Sequence, residues 1–313
     1  MNVRFGIIAD LHTEFIPDAP HRIEVFLQEC RQKACDFIVE LGDFCPPGPV
    51  NETKKNQLYA LLKNVPIPFY HVIGNHDTDS HSKEELLKHW NMPAPYYSFD
   101  FGGVHFAVLD ACWFSKDGQQ LSYDNGNYKS AGAKTILPDK ELSWLKQDLA
   151  CAKYPTVIFS HPSLVESRAS ITNAAKLRKV FSQAPFGVML CVCGHEHVDR
   201  ITQKDGVYYY CLNSASYYWA GSAFKHSTYG QEIEQTYPQI KNVFPYSDPL
   251  FAIIEINTDA VKIFGRSGHI VGPTPAELHF QKEGLCDPIT PSVSDRVLSL
   301  SHLRKTVSNG VIL

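Results

Sequence analysis

Five times along this chain a short apolar run ends on a cluster of Asp, Asn or His. Ala9 gives way to Asp10-Leu11-His12, Leu41 to Gly42-Asp43, and Ile73 to Gly74-Asn75-His76-Asp77. Phe159 is followed by Ser160-His161, and the Val188 to Val192 run by Gly194-His195-Glu196-His197. The runs themselves (Val3 to Ala9, Phe37 to Leu41, Phe69 to Ile73, Thr156 to Phe159, Val188 to Val192, and also Val104 to Leu109) have the length and composition of buried strands. Between them lie stretches of helical period, such as Ile23, Phe26, Leu27, Cys30 and Ala34, and Leu142, Leu145 and Leu149 after Pro138-Asp139. Strand and helix therefore alternate to about residue 193, which predicts an α/β fold. In such a sheet ligands bind at the carboxyl ends of the strands, so five clusters distant in sequence are expected to meet at one site.

Beyond residue 193 the pattern changes to successive strands, Val207 to Leu212, Phe251 to Ile256 and Val261 to Phe264, with a hairpin at Asn257-Thr258-Asp259. Residues 214–250 are aromatic and polar without a clear period, which predicts a long loop or cap. Pro273, Pro275, Pro288 and Pro291 then precede a short helix expected around Asp295 to Leu303. The organisation expected is a main domain over 1–270 with a C-terminal extension, 271–313, packed on it.

Composition removes several function classes. The 29 basic and 33 acidic residues give a net charge of −4 with no block of like charge, which argues against a general nucleic-acid or anionic-membrane binder. Hydrophobic content of 44% excludes a disordered chain. No apolar run approaches the roughly 18 residues of a bilayer span, and the apolar stretch before Asp10 is too short for a signal peptide, so a cytoplasmic protein is expected. The nine cysteines are too sparse for a disulfide scaffold and are read as reduced. The 14 histidines stand out, because imidazole is both a common metal ligand and a proton-transfer group near neutral pH.

In an extended segment residues i and i+2 point the same way about 6.6 Å apart, which pairs Asp10 with His12 and His195 with His197. Roots that far apart suit two ions held about 3.5–4 Å from each other, with Asp43 as the natural bridging carboxylate. Asp, Asn and His donors suit Mn, Fe or Zn better than Ca²⁺ or Mg²⁺. Cys191 and Cys193 continue the alternation, but four such residues along one strand span roughly 20 Å, too far for one tetrahedral ion. They are read as small buried hydrophobes. His71 is expected to be a strand histidine bonded to backbone, and His21, His81, His89 and His105 surface or loop residues. Glu196, pointing away between two ligands, is expected to lie behind the site or in solvent.

The ordered set D-x-H, G-D, G-N-H-D, H and G-H-x-H resembles the calcineurin-like metallophosphoesterase superfamily, and most of all its class III cyclic-nucleotide and glycerophosphodiester phosphodiesterase branch. The resemblance covers roughly residues 3 to 265. It implies a four-layer αββα sandwich, two mixed sheets flanked by helices, with the metals at one sheet edge. It further implies one metal held by Asp10, His12, Asp43 and His197, and a second by Asp43, Asn75, His161 and His195. His76 would sit over the leaving-group oxygen as proton donor and Asp77 would orient its imidazole. The chemistry implied is in-line attack on a phosphodiester by a hydroxide bridging two di- or trivalent ions. A phosphomonoesterase, a nucleotide pyrophosphatase and a catalytically silent metal-stabilised scaffold are the alternatives.

Purple acid phosphatases carry a metal-binding Tyr three residues after the Asp of their G-D-x-x-Y block, where this chain has Pro46, and lack the His found here at His12. A tyrosinate-iron site is therefore not expected. Tyr217, Tyr218 and Trp219 have the chemistry to stack a nucleobase or an aryl leaving group, and equally to serve packing or a dimer contact. Trp219 and His226 are carried forward as substrate contacts for a small phosphoester, with homo-oligomerisation left open.

Overall fold

Six of the apolar runs become strands, and they divide between two sheets. The computed structural model describes residues 1–44, 52–79, 81–281 and 287–301. The first sheet has six strands in the order Arg296–Ser299, Ala260–Phe264, Ala252–Asn257, Asn2–Ile8, Phe37–Glu40 and Phe69–His71. The second also has six, ordered Arg200–Lys204, Val207–Cys211, Val188–Cys193, Thr156–Ser160, Val104–Val108 and Tyr97–Phe101. Both are mixed. Asn2–Ile8 runs parallel to Phe37–Glu40 but antiparallel to Ala252–Asn257, and Val188–Cys193 runs parallel to both its neighbours.

Alternation along each strand sorts its side chains between an inner and an outer face. Val3, Phe5 and Ile7 point inward and pack with Phe37, Phe106, Val157 and Phe159 across the sheet-to-sheet interface. Phe5 stacks on Phe37 with centroids 4.9 Å apart and meets Phe106 and Phe159 edge-on at 5.7 and 5.8 Å. The outward residues Ile8, Ile38 and Ile253 lie under the helix Ala19–Gln32, which contributes Ile23, Phe26, Leu27 and Cys30. Gly6 permits that approach, because a Cβ there would collide with Cys30 Sγ. On the opposite side Leu142, Leu145 and Leu149 of helix Asp139–Cys151 and Leu177 and Phe181 of helix Ala174–Phe181 cover Ala107, Ile158 and Cys191. Helix, sheet, sheet and helix are thus stacked in four layers, the αββα sandwich.

The turn at Asn257 forms as expected, its Oδ1 accepting the N–H groups of Asp259 and Ala260. Two other segments differ from expectation. Residues 214–250 contain paired strands, Tyr217–Trp219 and Val243–Pro245, and a helix, Gln231–Thr236, closed over Ile16, Tyr217, Tyr237, Ile240 and Val243. Elements of three to six residues are too short to show a period. The helix expected from Asp295 is instead the strand Arg296–Ser299, paired antiparallel with Ala260–Phe264 at the edge of the first sheet. It buries Leu298 and exposes Val297, an alternation over four residues that helical spacing also fits. Among the described residues no helix is long and apolar enough to cross a membrane.

Candidate metal centre

All five clusters leave their strands at the same edge of the sandwich, where the carboxyl ends of the parallel strands of the two sheets face each other. The ligand residues are not in extended backbone there. Asp10, His12, Asp43, His195 and His197 all have positive φ, between 51° and 70°. The i, i+2 pairs therefore share a direction because two left-handed turns aim them, not because a strand does. For non-glycine residues that conformation costs about 1–3 kcal/mol each and persists only where the surroundings fix it. Here the loops are laced together: Asp10 N–H donates to Gly42 O (3.0 Å), His12 N–H to Asp43 O (3.1 Å) and Gly194 N–H to His161 O (3.1 Å). Gly74 is required for the crossing, since a Cβ would run into the backbone of Asp43.

The side chains converge in two groups, Asp10 with His12 and His197, and Asp43 with His161 and His195, the donor atoms of each lying within 4.8 Å of one another. Asp43 Oδ2 stands between them, 3.7 Å from His12 Nε2 and 3.1 Å from His161 Nε2. Asn75 Oδ1 joins the second group at 3.0 Å from His161 Nε2, and His195 Nδ1 lies 3.2 Å from the same nitrogen. All seven residues named from the sequence as ligands are thus brought to one place.

These residues fit two cations. His161 Nδ1 faces Leu41 O at 2.8 Å, His197 Nδ1 faces Tyr217 O at 2.9 Å and His12 Nδ1 faces Glu14 Oε1 at 3.0 Å. A donated proton at each Nδ1 leaves the Nε2 lone pair directed at the centre, as outer partners of metal-binding imidazoles do. Around His161 Nε2 a carboxylate oxygen, an amide oxygen and a second imidazole nitrogen then converge, an arrangement that repels itself unless positive charge lies among them. The electrostatics agree. Burial opposes a charge on His161, yet the carboxylate of Asp43 outweighs it and lifts the pKa to about 10. Burial pushes His195 down to about 3, neutral as a ligand must be, while His161 gives up the proton that Asp43 favours there when its Nε2 takes an ion.

The expected partnership of His76 with Asp77 is corrected. Asp77 is buried and turned away, accepting the backbone N–H groups of Gly74 (2.9 Å), Asp43 (3.0 Å) and Phe44 (3.1 Å). It ties two ligand loops together, and burial with the charge of Asp43 pushes it up to about 6. The carboxylate on His76 is Asp79, with Oδ2 2.8 Å from Nδ1. In the 3₁₀ turn His76–Thr78 residues three apart eclipse, so position 79, not 77, lies beside residue 76. Asp79 accepts from Tyr128 OH at 2.7 Å and lies 2.9 Å from Lys129 Nζ, while Tyr128 OH also accepts from Asn75 Nδ2 at 3.2 Å. Burial lowers the His76 pKa, but Asp43 and Asp79 together raise it to about 9.

The centre opens into a cavity of about 350 Å³ lined by His12, His76, Phe15, Arg168, Tyr217 and Trp219 among others. Trp219 is at its rim. His226 is not part of it: its ring stacks on Phe244 and its Nδ1 bonds Phe224 O at 2.8 Å. Glu196 lines the cavity without facing the ligands, bound by Ser167 and, at 2.8 Å, by Arg200. Elsewhere, His105 is buried between Asp100 (2.6 Å) and Asp148 (2.8 Å) and not at the surface. His71 stacks on Trp90 at 4.1 Å with Nδ1 3.5 Å from Glu40. Asp79, Tyr128, Glu14, Phe15 and Arg168 were not among the sequence candidates; of these only Asp79 carries a signal, its i+3 spacing from His76.

The family model of the calcineurin-like phosphoesterases matches residues 3–199, more than half of the chain. Tartrate-resistant acid phosphatase type 5 of Mus musculus is 26% identical over 227 residues, covering 64% of this chain and 68% of its own. A probable cyclic nucleotide phosphodiesterase of Psychrobacter sp. strain PRwf-1 is 28% identical over 189 residues, 58% of this chain and 53% of its own. In fold, the chain is similar to a dimetal phosphatase from Danio rerio, with a TM-score of 0.64 at 16% identity over 96% of this chain and 99% of that one. Pro46, which separates this chain from the purple acid phosphatase pattern, lies outside the described residues. The match over residues 3–199 spans every ligand cluster described above, and the chain belongs to the calcineurin-like phosphoesterases, with metal-dependent hydrolysis of a phosphoric ester as its chemistry.

Proposed function

We propose that this chain hydrolyses a phosphodiester bond of a small substrate, and the observation that carries the reading is His12. It stands in the first ligand group beside Asp10 and His197, in the D-x-H block whose His the purple acid phosphatases lack. Asp10, His12, Asp43 and His197 would hold one ion and Asp43, Asn75, His161 and His195 the other, with Mn, Fe or Zn matching the donor set. When bound, two such cations supply charge neutralisation for the phosphoryl oxygens and lower the pKa of water.

The chain's own residues supply the proton. His76 lines the cavity with its ring centroid 5.2 Å from that of His12, and Asp79 fixes its Nδ1, so Nε2 is the nitrogen left for substrate. Asp79, bonded to Nδ1, favours the charged imidazole, so Nε2–H is available to the leaving oxygen as the ester P–O bond breaks. Water contributes the new P–O bond, and the products are an alcohol and a phosphomonoester. Free thiols at the seven described cysteines support placing this activity in a reducing compartment, the cytoplasm.

The test is turnover of bis-nitrophenyl phosphate against nitrophenyl phosphate, before and after chelation and Mn²⁺ readdition. A higher kcat/KM on the diester, lost on chelation, supports the reading. A preference for the monoester replaces it with a phosphomonoesterase, the reading that the acid phosphatase relative favours.

A further inference from the structure

We infer that Arg168 forms a second anion subsite in the cavity, so that the substrate carries a further phosphate beyond the one undergoing hydrolysis, together with an aromatic ring. This rests on the cavity being the substrate site proposed above. Among the described residues Arg168 is the one Arg or Lys that lines the cavity, and it makes no hydrogen bond or ion pair with any of them. The nearby arginines are spent. Arg178 forks onto Glu166 at 2.5 and 2.9 Å, and Arg200 bonds Glu196 at 2.8 Å and Asp287 at 2.6 Å. Glu196, which lines the same cavity, and Glu166, two positions before Arg168 in sequence, are thereby neutralised by other cations, Glu166 also by Lys204 at 2.9 Å. An exposed arginine with no partner among the described residues, lining a cavity whose metal ligands would take one phosphoryl group, presents a planar fork matched to a second phosphate.

The aromatic part of the lining supplies the ring. Phe15 lies 5.7 Å from Trp219 and 5.5 Å from Tyr217, centroid to centroid, and Trp219, which lines the cavity, remains 37% exposed. Metal ligands, aromatic lining and guanidinium fit an aryl or nucleoside phosphodiester that carries a second phosphate better than one with a single phosphate.

Calorimetric titration of the Mn²⁺-loaded protein with α,β-methylene-ADP, which resists hydrolysis, and with AMP reads this without turnover. Wild type should bind the diphosphate more tightly. Arg168→Ala should weaken it by about tenfold or more, the loss of a charge-assisted pair, while Arg168→Lys keeps part of the affinity. AMP should weaken by less than about threefold, the share of exposed long-range charge. Trp219→Leu should weaken both ligands together, and the melting temperature of Arg168→Ala should stay unchanged, since Arg168 is exposed. Equal weakening of both ligands by Arg168→Ala, no weakening, or no binding of either ligand by wild type overturns the subsite. Absence of diester turnover with this discrimination intact refutes the proposed reaction and leaves the subsite standing.

Discussion

Replacing Asp79 by Asn tests how His76 is held, with little change in shape. The Asp79 carboxylate meets His76 Nδ1 at 2.8 Å, and the two side chains are 25% and 31% exposed. A hydrogen bond to a charged group contributes about 1.5–3 kcal/mol, and exposure of this order places the pair at the lower end. About 1.4 kcal/mol corresponds to a tenfold fall in kcat, whereas His76→Ala, which removes the acid, should cost about 10²–10⁴-fold. The two losses should depend on the leaving group. Nitrophenolate departs with little help, while an alkoxide needs the proton, so both variants should hurt an alkyl diester far more than bis-nitrophenyl phosphate. The pH profile gives an independent sign. The Asp79 carboxylate raises the His76 pKa, so losing it lowers that pKa and moves the alkaline fall in kcat to lower pH. A loss of equal size on both substrates, or an alkaline limb that stays in place, refutes the assignment of His76 as proton donor and Asp79 as its anchor.

Asp77→Ala should act through structure: three buried backbone N–H groups lose their acceptor, at about 1–3 kcal/mol each where no water replaces it, so denaturant midpoint and metal content should both fall. His76→Ala should leave metal content near that of wild type by elemental analysis. For His105 burial lowers the pKa, but Asp148 and Asp100 outweigh it and leave it raised, so its stabilisation is complete below about pH 6.5 and is lost as pH rises through the folded pKa. His105→Gln should therefore destabilise more at pH 6 than at pH 9 in urea unfolding. Phe5→Ala, which removes the ring at the centre of the sheet-to-sheet packing, should cost about 3–5 kcal/mol in the same assay.

The metal centre was legible because its information is local. Each ligand follows directly on an apolar run, and parallel strands carry all five run ends to one edge. The direction of those ligands was not, because Asp10, His12, Asp43, His195 and His197 take a left-handed conformation that their side chains, unlike glycine, do not advertise. Adjacency pointed to Asp77 as the partner of His76, and the 3₁₀ turn gave that place to Asp79. Tyr128, in the 3₁₀ helix Asn127–Lys129, and Arg168 reach the site from about 50 and 90 residues beyond His76, a proximity that only the tertiary fold creates. His105 looked like a surface residue because its partner Asp148 sits on a helix 43 positions away. The edge strand Arg296–Ser299 owes its conformation to the neighbour it pairs with, a cause absent from its own four residues.

The central claim, two cations held by residues from both sheets and shared through Asp43, is tested most directly by metal content. Elemental analysis of wild type and Asp43→Ala, after Mn²⁺ loading and removal of free ion, should give about two ions per chain for wild type and fewer than about one for the variant. Diester turnover should vanish on chelation and return with Mn²⁺. A wild type that holds fewer than about one ion after loading, an Asp43→Ala variant that keeps both, or turnover that survives chelation contradicts the shared centre.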